Sequence, residues 1–230
     1  MEIIGHRGCP VYGPENTITA FKTASEYVDM IELDVQRCQT GELVVFHDTA
    51  LSRLTRLDGA VPAVPWHKLS SVTIGDSTAT IPRLSDVLSI LPSEVGINIE
   101  VKHGGMAEEI ESLVETISNR IIVSSFIPHA LTEFTTDTIE CGYLFDSEWE
   151  SQIEIAQSLG CDAVHPAYEL VTPERIEKAH ASGLQVNAWT VPDTKTARVL
   201  QQYGVDGAIV DDWTVVETPH PMHVETQTIA

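Results

Sequence analysis

Eight short β-rich runs alternate with helix-patterned segments from one end of the chain to the other, and this alternation limits the fold more than any other feature. The runs are EIIGHRG, MIELDVQ, GINIEVK, RIIVSSF, IECGYLF, CDAVHPA, LQVNAWTV and VDGAIVDD. Strands separated by helices form a parallel sheet, because each crossover helix returns the chain to the same end of the next strand. Eight such units within 230 residues match the number that closes a (β/α)8 barrel. The predicted fold is α/β, a TIM barrel in a single domain over residues 1–216, with a small insertion after the second strand and its HD segment.

The helices have their own signals. In RLSDVLSILP, Leu84, Val87, Leu88 and Leu91 share one face, as do Ile110, Leu113, Val114 and Ile117 in the next helix. Ser147 with Glu150 reads as a capping box, Thr172 before Pro173 as a helix start, and Gly160, Gly183 and Gly204 as helix ends. One segment breaks the rhythm. After ELVVFHD, residues 49–82 are too irregular for a standard βα loop, and they read as an excursion over the barrel mouth. The tail 217–230 has neither period nor core and reads as mobile.

The second run carries the first chemical signal. Side chains alternate across a strand, so Glu32 and Asp34 share one face while Ile31, Leu33 and Val35 share the other. In a barrel the apolar set faces the helices and the acids face the lumen. The third run repeats the arrangement with Glu100 and Lys102. Two uncompensated buried carboxylates are costly, so a positive group must meet them. Three carboxylates offer hard oxygen ligands for Mg²⁺ or Ca²⁺, whereas zinc more often takes His or Cys. The alternative is a structural ion-pair network around Lys102. The first strand ends in GHRG, which brings His6 and Arg7, and the extended run ELVVFHD ends in FHD, which brings His47, at the rim where barrel active sites lie. Two imidazoles, an Arg, a Lys and a metal would suit a phosphate ester.

Composition then removes partners. With 13 Lys and Arg against 34 Asp and Glu, the formal net charge is −21, which excludes the basic patch that nucleic acid requires. Only five of those 13 are lysines. Acids spread along a lysine-poor chain point to a surface adapted to molar salt. No apolar run reaches the roughly 18 residues of a membrane span, and MEIIGHRGCP lacks the features of a signal peptide. The expected location is the cytoplasm, without stable membrane association; the oligomeric state stays open. Cys9, Cys38, Cys141 and Cys161 show no CxxC spacing and read as isolated packing thiols.

Taken together, GHRG, PENTITAF, IELDVQRCQTGELVVFHD, LSRLT, IPRLSDVL, INIEVK, SSF, AVHPAY, VNAWTV and GVDGAIVDD resemble, in order and over nearly the whole chain, the glycerophosphodiester phosphodiesterases. The resemblance implies a TIM barrel with the family's insertion after the HD strand. It implies His6 and His47 as the catalytic pair, Glu32, Asp34 and Glu100 as divalent-metal ligands, and Arg7 and Lys102 as phosphate contacts. Trp189 matches an aromatic near the glycerol side of the pocket. Glu15 and Asn16, in PENT, read as a brace opening the first helix behind the site. His165 reads as a pocket-wall or structural residue. His67, His103, His129, His180, His220 and His223 read as surface residues.

The resulting expectation is a metal-dependent hydrolase that splits a glycerophosphodiester into glycerol phosphate and an alcohol. Two rivals stand beside it: a lysophospholipase D-like headgroup hydrolase, and a non-catalytic metal- or ligand-binding barrel.

Overall fold

The computed structural model describes residues 1–217. Of the tail 217–230, all but Glu217 lies outside the described residues, and with it the surface placement expected of His220 and His223. Nine strands form one sheet: β1 (Glu2–Gly5), β2 (Met30–Arg37), β3 (Leu43–Val45), β4 (Gly96–Val101), β5 (Ile121–Ser125), β6 (Ile139–Phe145), β7 (Ala163–Pro166), β8 (Gln185–Ala188) and β9 (Gly207–Val210). All except β3 pair in parallel, and β1 pairs with both β2 and β9, closing an eight-stranded barrel. All eight predicted runs became barrel strands. β3 joins antiparallel to the end of β2, with Val35 opposite Val45.

The helices are α1 (Ile18–Ala24), α2 (Trp66–Leu69), α3 (Leu84–Leu88), α4 (Ala107–Val114), α5 (Pro128–Leu131), α6 (Trp149–Leu159), α7 (Pro173–Ala181) and α8 (Thr194–Tyr203). Thr172 caps α7 by accepting from the Arg175 N–H. Gly160 and Gly204 end α6 and α8 in the left-handed conformation, which glycine adopts without a Cβ clash. The capping box expected at Ser147 is not formed. The N-cap of α6 is Glu148, itself at φ 52° with no side-chain cap, because the chain turns sharply there to leave β6.

Alternation sorts the strands into two cores. Ile31, Leu33, Val35, Ile97, Ile99, Val101 and Val123 face outward and pack in the main core beneath the helices. Inside the barrel, Ile4, Met30, Ile122 and Ile209 form a small apolar plug. Polar side chains accompany it in the barrel: Asn98, Ser124, His165 and Asn187 are all buried. A Cβ on Gly142 would stand 2.7 Å from the His165 ring, so β6 needs glycine there.

Residues 49–82 form a third, separate core. Leu51, Val61, Val64, Leu69, Ile74 and Ile81 cluster with Cys38, Val44 and Phe46, and Trp66 packs against them. The segment thus folds beside β3 around its own apolar centre. Its backbone is tied to the barrel by hydrogen bonds such as Val45 N–H to the Pro82 carbonyl, 2.9 Å.

Candidate active site

β2 and β4 run in register, which sets Glu32 beside Asn98 and Asp34 beside Glu100. Oxygens of Glu32, Asp34 and Glu100 all lie within 4.8 Å of one another. Lys102 Nζ is 2.6 Å from Asp34 Oδ1 and also bonds Glu100. Burial, then the neighbouring Asp34 charge, pushes the Glu32 carboxyl well above the usual range. Glu100 is raised by the same two causes. Burial works on Asp34 too, but Lys102 and Arg7 outweigh it and hold its carboxyl down. Glu32 Oε1 is buried with no hydrogen-bond partner among the described residues. An orphaned carboxylate oxygen beside two more carboxylates fits a hard divalent cation, and the all-oxygen donor set suits Mg²⁺ or Ca²⁺ better than zinc.

The turn after β1 is wound to meet this cluster. Arg7, Gly8 and Cys9 have φ of 50°, 79° and 60°, and a Cβ on Gly8 would come 2.9 Å from Phe21 of α1. The strained turn aims the Arg7 N–H at Glu32 Oε2, 2.8 Å away. The Arg7 side chain bonds Glu15 at 3.0 Å and lies 3.3 Å from Asp34. Asn16, at φ 58°, donates to Asp34 Oδ2 at 2.7 Å and accepts the Asp34 N–H at 3.3 Å. PENT therefore braces the cluster directly.

Two imidazoles share the cleft, each held through Nδ1 by an aspartate. His6 Nδ1 is 2.6 Å from Asp211 Oδ1, and His47 Nδ1 is 2.6 Å from Asp48 Oδ1. In each ring Nε2 is the nitrogen left for proton exchange. Burial opposes a charge on His6, but the Asp211 hydrogen bond and the nearby Glu32 carboxylate raise its pKa overall. Burial would raise the Asp48 carboxyl, yet hydrogen bonds from Arg53 and His47 hold it down to about 2.

The cleft, about 110 Å³, is lined by both imidazoles, Arg7, Glu32 and Glu100 together with the apolar Phe126, Leu144, Trp189 and Ile209. Phe126 and Trp189 meet edge to face at 5.4 Å, and Trp189 Nε1 donates to the His165 carbonyl at 2.7 Å. Asn98 and Ser124 also line the cleft, and each carries a buried oxygen without a hydrogen-bond partner among the described residues. A larger groove of about 470 Å³ runs between α1 and the insertion, past Ile18, Trp66, Thr80 and Asp86. It holds no paired acid and base.

A cleft lined by carboxylates, an arginine and paired imidazoles is a setting for phosphodiester hydrolysis, and comparison with known proteins agrees. The model of the glycerophosphoryl diester phosphodiesterase family matches residues 6–215. The chain belongs to that family. It is 31% identical over 227 residues to the glycerophosphodiester phosphodiesterase of Caldanaerobacter subterraneus, covering 91% of this chain and 93% of that protein. A phosphodiesterase of Oleispira antarctica, solved in complex with the product sn-glycerol-3-phosphate, superposes with a TM-score of 0.86 at 26% identity, over 94% of this chain and 95% of that one. The Thermotoga maritima glycerophosphodiester phosphodiesterase gives 0.82 at 28% identity, over 93% and 95%. The protein is thus a phosphoric diester hydrolase on a TIM barrel.

Within this glycerophosphodiesterase barrel, the residues singled out from sequence stand together: His6, Arg7, Glu32, His47, Glu100 and Trp189 line the cleft, with Asp34, Lys102, Glu15 and Asn16 bonded behind or beside them. His165 is fully buried and does not line the cleft; Asn187 Nδ2 lies 3.1 Å from its Nε2, and burial presses its pKa down to about 3. His67, His129 and His180 are exposed. His103 is not a surface residue: it is half-buried and its Nε2 accepts the Arg37 N–H at 3.2 Å. The sequence reading missed Asp48, Asp211 and Arg53. All three stood inside the quoted blocks, Asp48 in FHD, Arg53 in LSRLT and Asp211 in IVDD, but only folding shows which aspartate meets which imidazole and what the arginine grips.

Proposed function

We propose that this enzyme hydrolyses glycerophosphodiesters to glycerol phosphate and an alcohol, with His6 and His47 exchanging protons and Glu32, Asp34 and Glu100 holding one divalent cation, Mg²⁺ or Ca²⁺. The observation that carries this reading is the pairing of two aspartate-held imidazoles with a buried three-carboxylate cluster in one cleft. The product held by the Oleispira relative supports glycerol phosphate as the retained half. A cation bound there supplies Lewis-acid polarisation of the phosphoryl oxygens.

The chain's own groups do the rest. One imidazole takes a proton through Nε2 from the attacking oxygen, either that of water or that of the neighbouring glycerol hydroxyl, whose cyclic phosphate a water then opens, while the other gives its Nε2 proton to the departing alcohol oxygen, so the P–O bond that forms and the one that breaks are each matched by a proton transfer. Arg7 and Lys102 offer positive charge to the phosphate oxygens. Trp189 supplies an apolar face for the glycerol carbons. The reading treats 1–216 as one barrel domain bearing the insertion 49–82, acting in the cytoplasm on a soluble substrate. No helix among the described residues is long and apolar enough to cross a membrane. The net charge of −21 supports a salt-adapted surface.

Phe126 and Ile127, exposed beside the cleft, favour one second reading, release of a headgroup from a lysophospholipid. A single assay separates the readings: hydrolysis of glycerophosphocholine, glycerophosphoethanolamine and a lysophospholipid, each before and after chelation. The enzyme should turn over the soluble diesters, lose that activity on chelation and regain it with Mg²⁺ or Ca²⁺. Full turnover by chelated protein would remove the metal from the proposal.

A further inference from the structure

Arg53 was given no role by its sequence context, an irregular surface segment, yet its guanidinium sits between the two halves of the candidate machinery. Through Nε and Nη2 it forks onto Asp48, the carboxylate that holds His47. Through Nη1 and Nη2 it forks onto Glu15 at 3.1 and 2.7 Å. Glu15 Oε1 also accepts from Arg7, whose guanidinium lies against Asp34. A continuous chain of hydrogen bonds and ion pairs thus runs from His47 through Asp48, Arg53 and Glu15 to Arg7 and Asp34. Arg53 lies two residues after Leu51, which is fully buried in the insertion's own core.

We propose that Arg53 is a positioning residue: its two carboxylate forks fix His47 and Arg7 in one frame, so the insertion works as a splint for the active site. The proposal rests on the functional reading above. A planar guanidinium can hold two carboxylates bidentately, whereas an ammonium is a point charge with no fork. His6 offers an internal contrast, because its partner Asp211 is 48% exposed and makes no ion pair with an Arg or Lys among the described residues. His47 should therefore depend on Arg53 and His6 should not.

Arg53→Ala, Arg53→Lys and the wild-type enzyme test this by two readouts. The first needs no substrate: the imidazole Hε1–Cε1 resonances, assigned with His47→Ala and His6→Ala. Arg53→Ala should shift the His47 resonance and leave that of His6 in place. The second is turnover of a glycerophosphodiester. Arg53→Ala should lower kcat about 10- to 100-fold, the scale of a misplaced catalytic group, Arg53→Lys should recover little of it, and added guanidinium ion should restore part of the loss in Arg53→Ala. An unmoved His47 resonance, equal shifts of both imidazoles, or full activity in Arg53→Lys would each overturn the proposal. Arg53→Gln, which keeps most of the stem, repeats the measurements if the alanine variant fails to fold. Absence of turnover by the wild-type enzyme would count against the functional reading and leave the resonance test standing.

Discussion

Each rim of the barrel gathers an arginine among acids, and the two rims treat charge in opposite ways. At the N-terminal ends of the strands, Arg120 donates to Glu140 at 2.8 and 2.7 Å, to Glu2 at 3.0 Å and to Gln185 at 2.9 Å. These groups are partly open to water, and each has a partner. At the C-terminal ends, Glu32 and Asp34 are buried, three carboxylates crowd together, and Glu32 Oε1 has no hydrogen-bond partner among the described residues. The first arrangement joins strands; the second is unfavourable until something binds. Barrels separate the two demands by end, so the stable rim can carry the strain of the working one.

The sharpest way to break this division is at the imidazoles. His6→Ala and His47→Ala should each lower kcat about 10²- to 10⁴-fold while the melting temperature and divalent-ion affinity stay near wild type. A large loss of ion affinity in either variant would mean the ring is a ligand. Next in size, Asn16→Ala removes the amide that clasps Asp34 and should weaken divalent-ion binding about 10- to 100-fold, as read by titration calorimetry. Excess ion should return part of the activity.

Glu32→Gln probes the cost of the working rim. The folded pKa of Glu32 lies above its unfolded value, so between the two the native state binds more protons and stability falls as pH rises. Removing that acid should raise the stability of the ion-free protein at pH 7 by on the order of 2 kcal/mol, a few degrees in melting temperature. The gap between variant and wild type should narrow as pH falls towards the unfolded carboxylate pKa, and added Mg²⁺ or Ca²⁺ should stabilise the wild type selectively. A Glu32→Gln protein that melts below the ion-free wild type would reverse the picture. The smallest effect belongs to the opposite rim. Arg120→Ala should cost about 1 kcal/mol, since its pairs are partly solvated, and leave kcat per folded molecule unchanged.

The sequence exposed the barrel because burial on both faces and regular helix returns print a strong pattern, and it exposed Glu32, Asp34 and Glu100 because acids two apart in a greasy strand conflict with their surroundings. It concealed whatever depends on distant chain segments meeting. Asp48 and Asp211 look alike in sequence, yet only closure of the barrel sets Asp211 against His6. His103 looked like a surface residue because its contact with Arg37 spans 66 positions. Ser147 carried a sound local capping signal that lost to the left-handed turn at Glu148. Arg53 was hidden for the same reason: nothing local distinguishes a solvated arginine from one gripping two carboxylates.

The His6–Asp211 pair joins residues 205 positions apart, and this gives the enzyme a timetable. Glu32, Asp34 and Glu100 leave the ribosome roughly ten seconds before Asp211 at about 5–20 residues per second. For that interval the nascent chain carries its cluster of acids but lacks both the strand that closes β1 and the carboxylate that orients His6. A product of interrupted translation, cut short before β9, would carry every carboxylate of the acid cluster and still lack a finished active site.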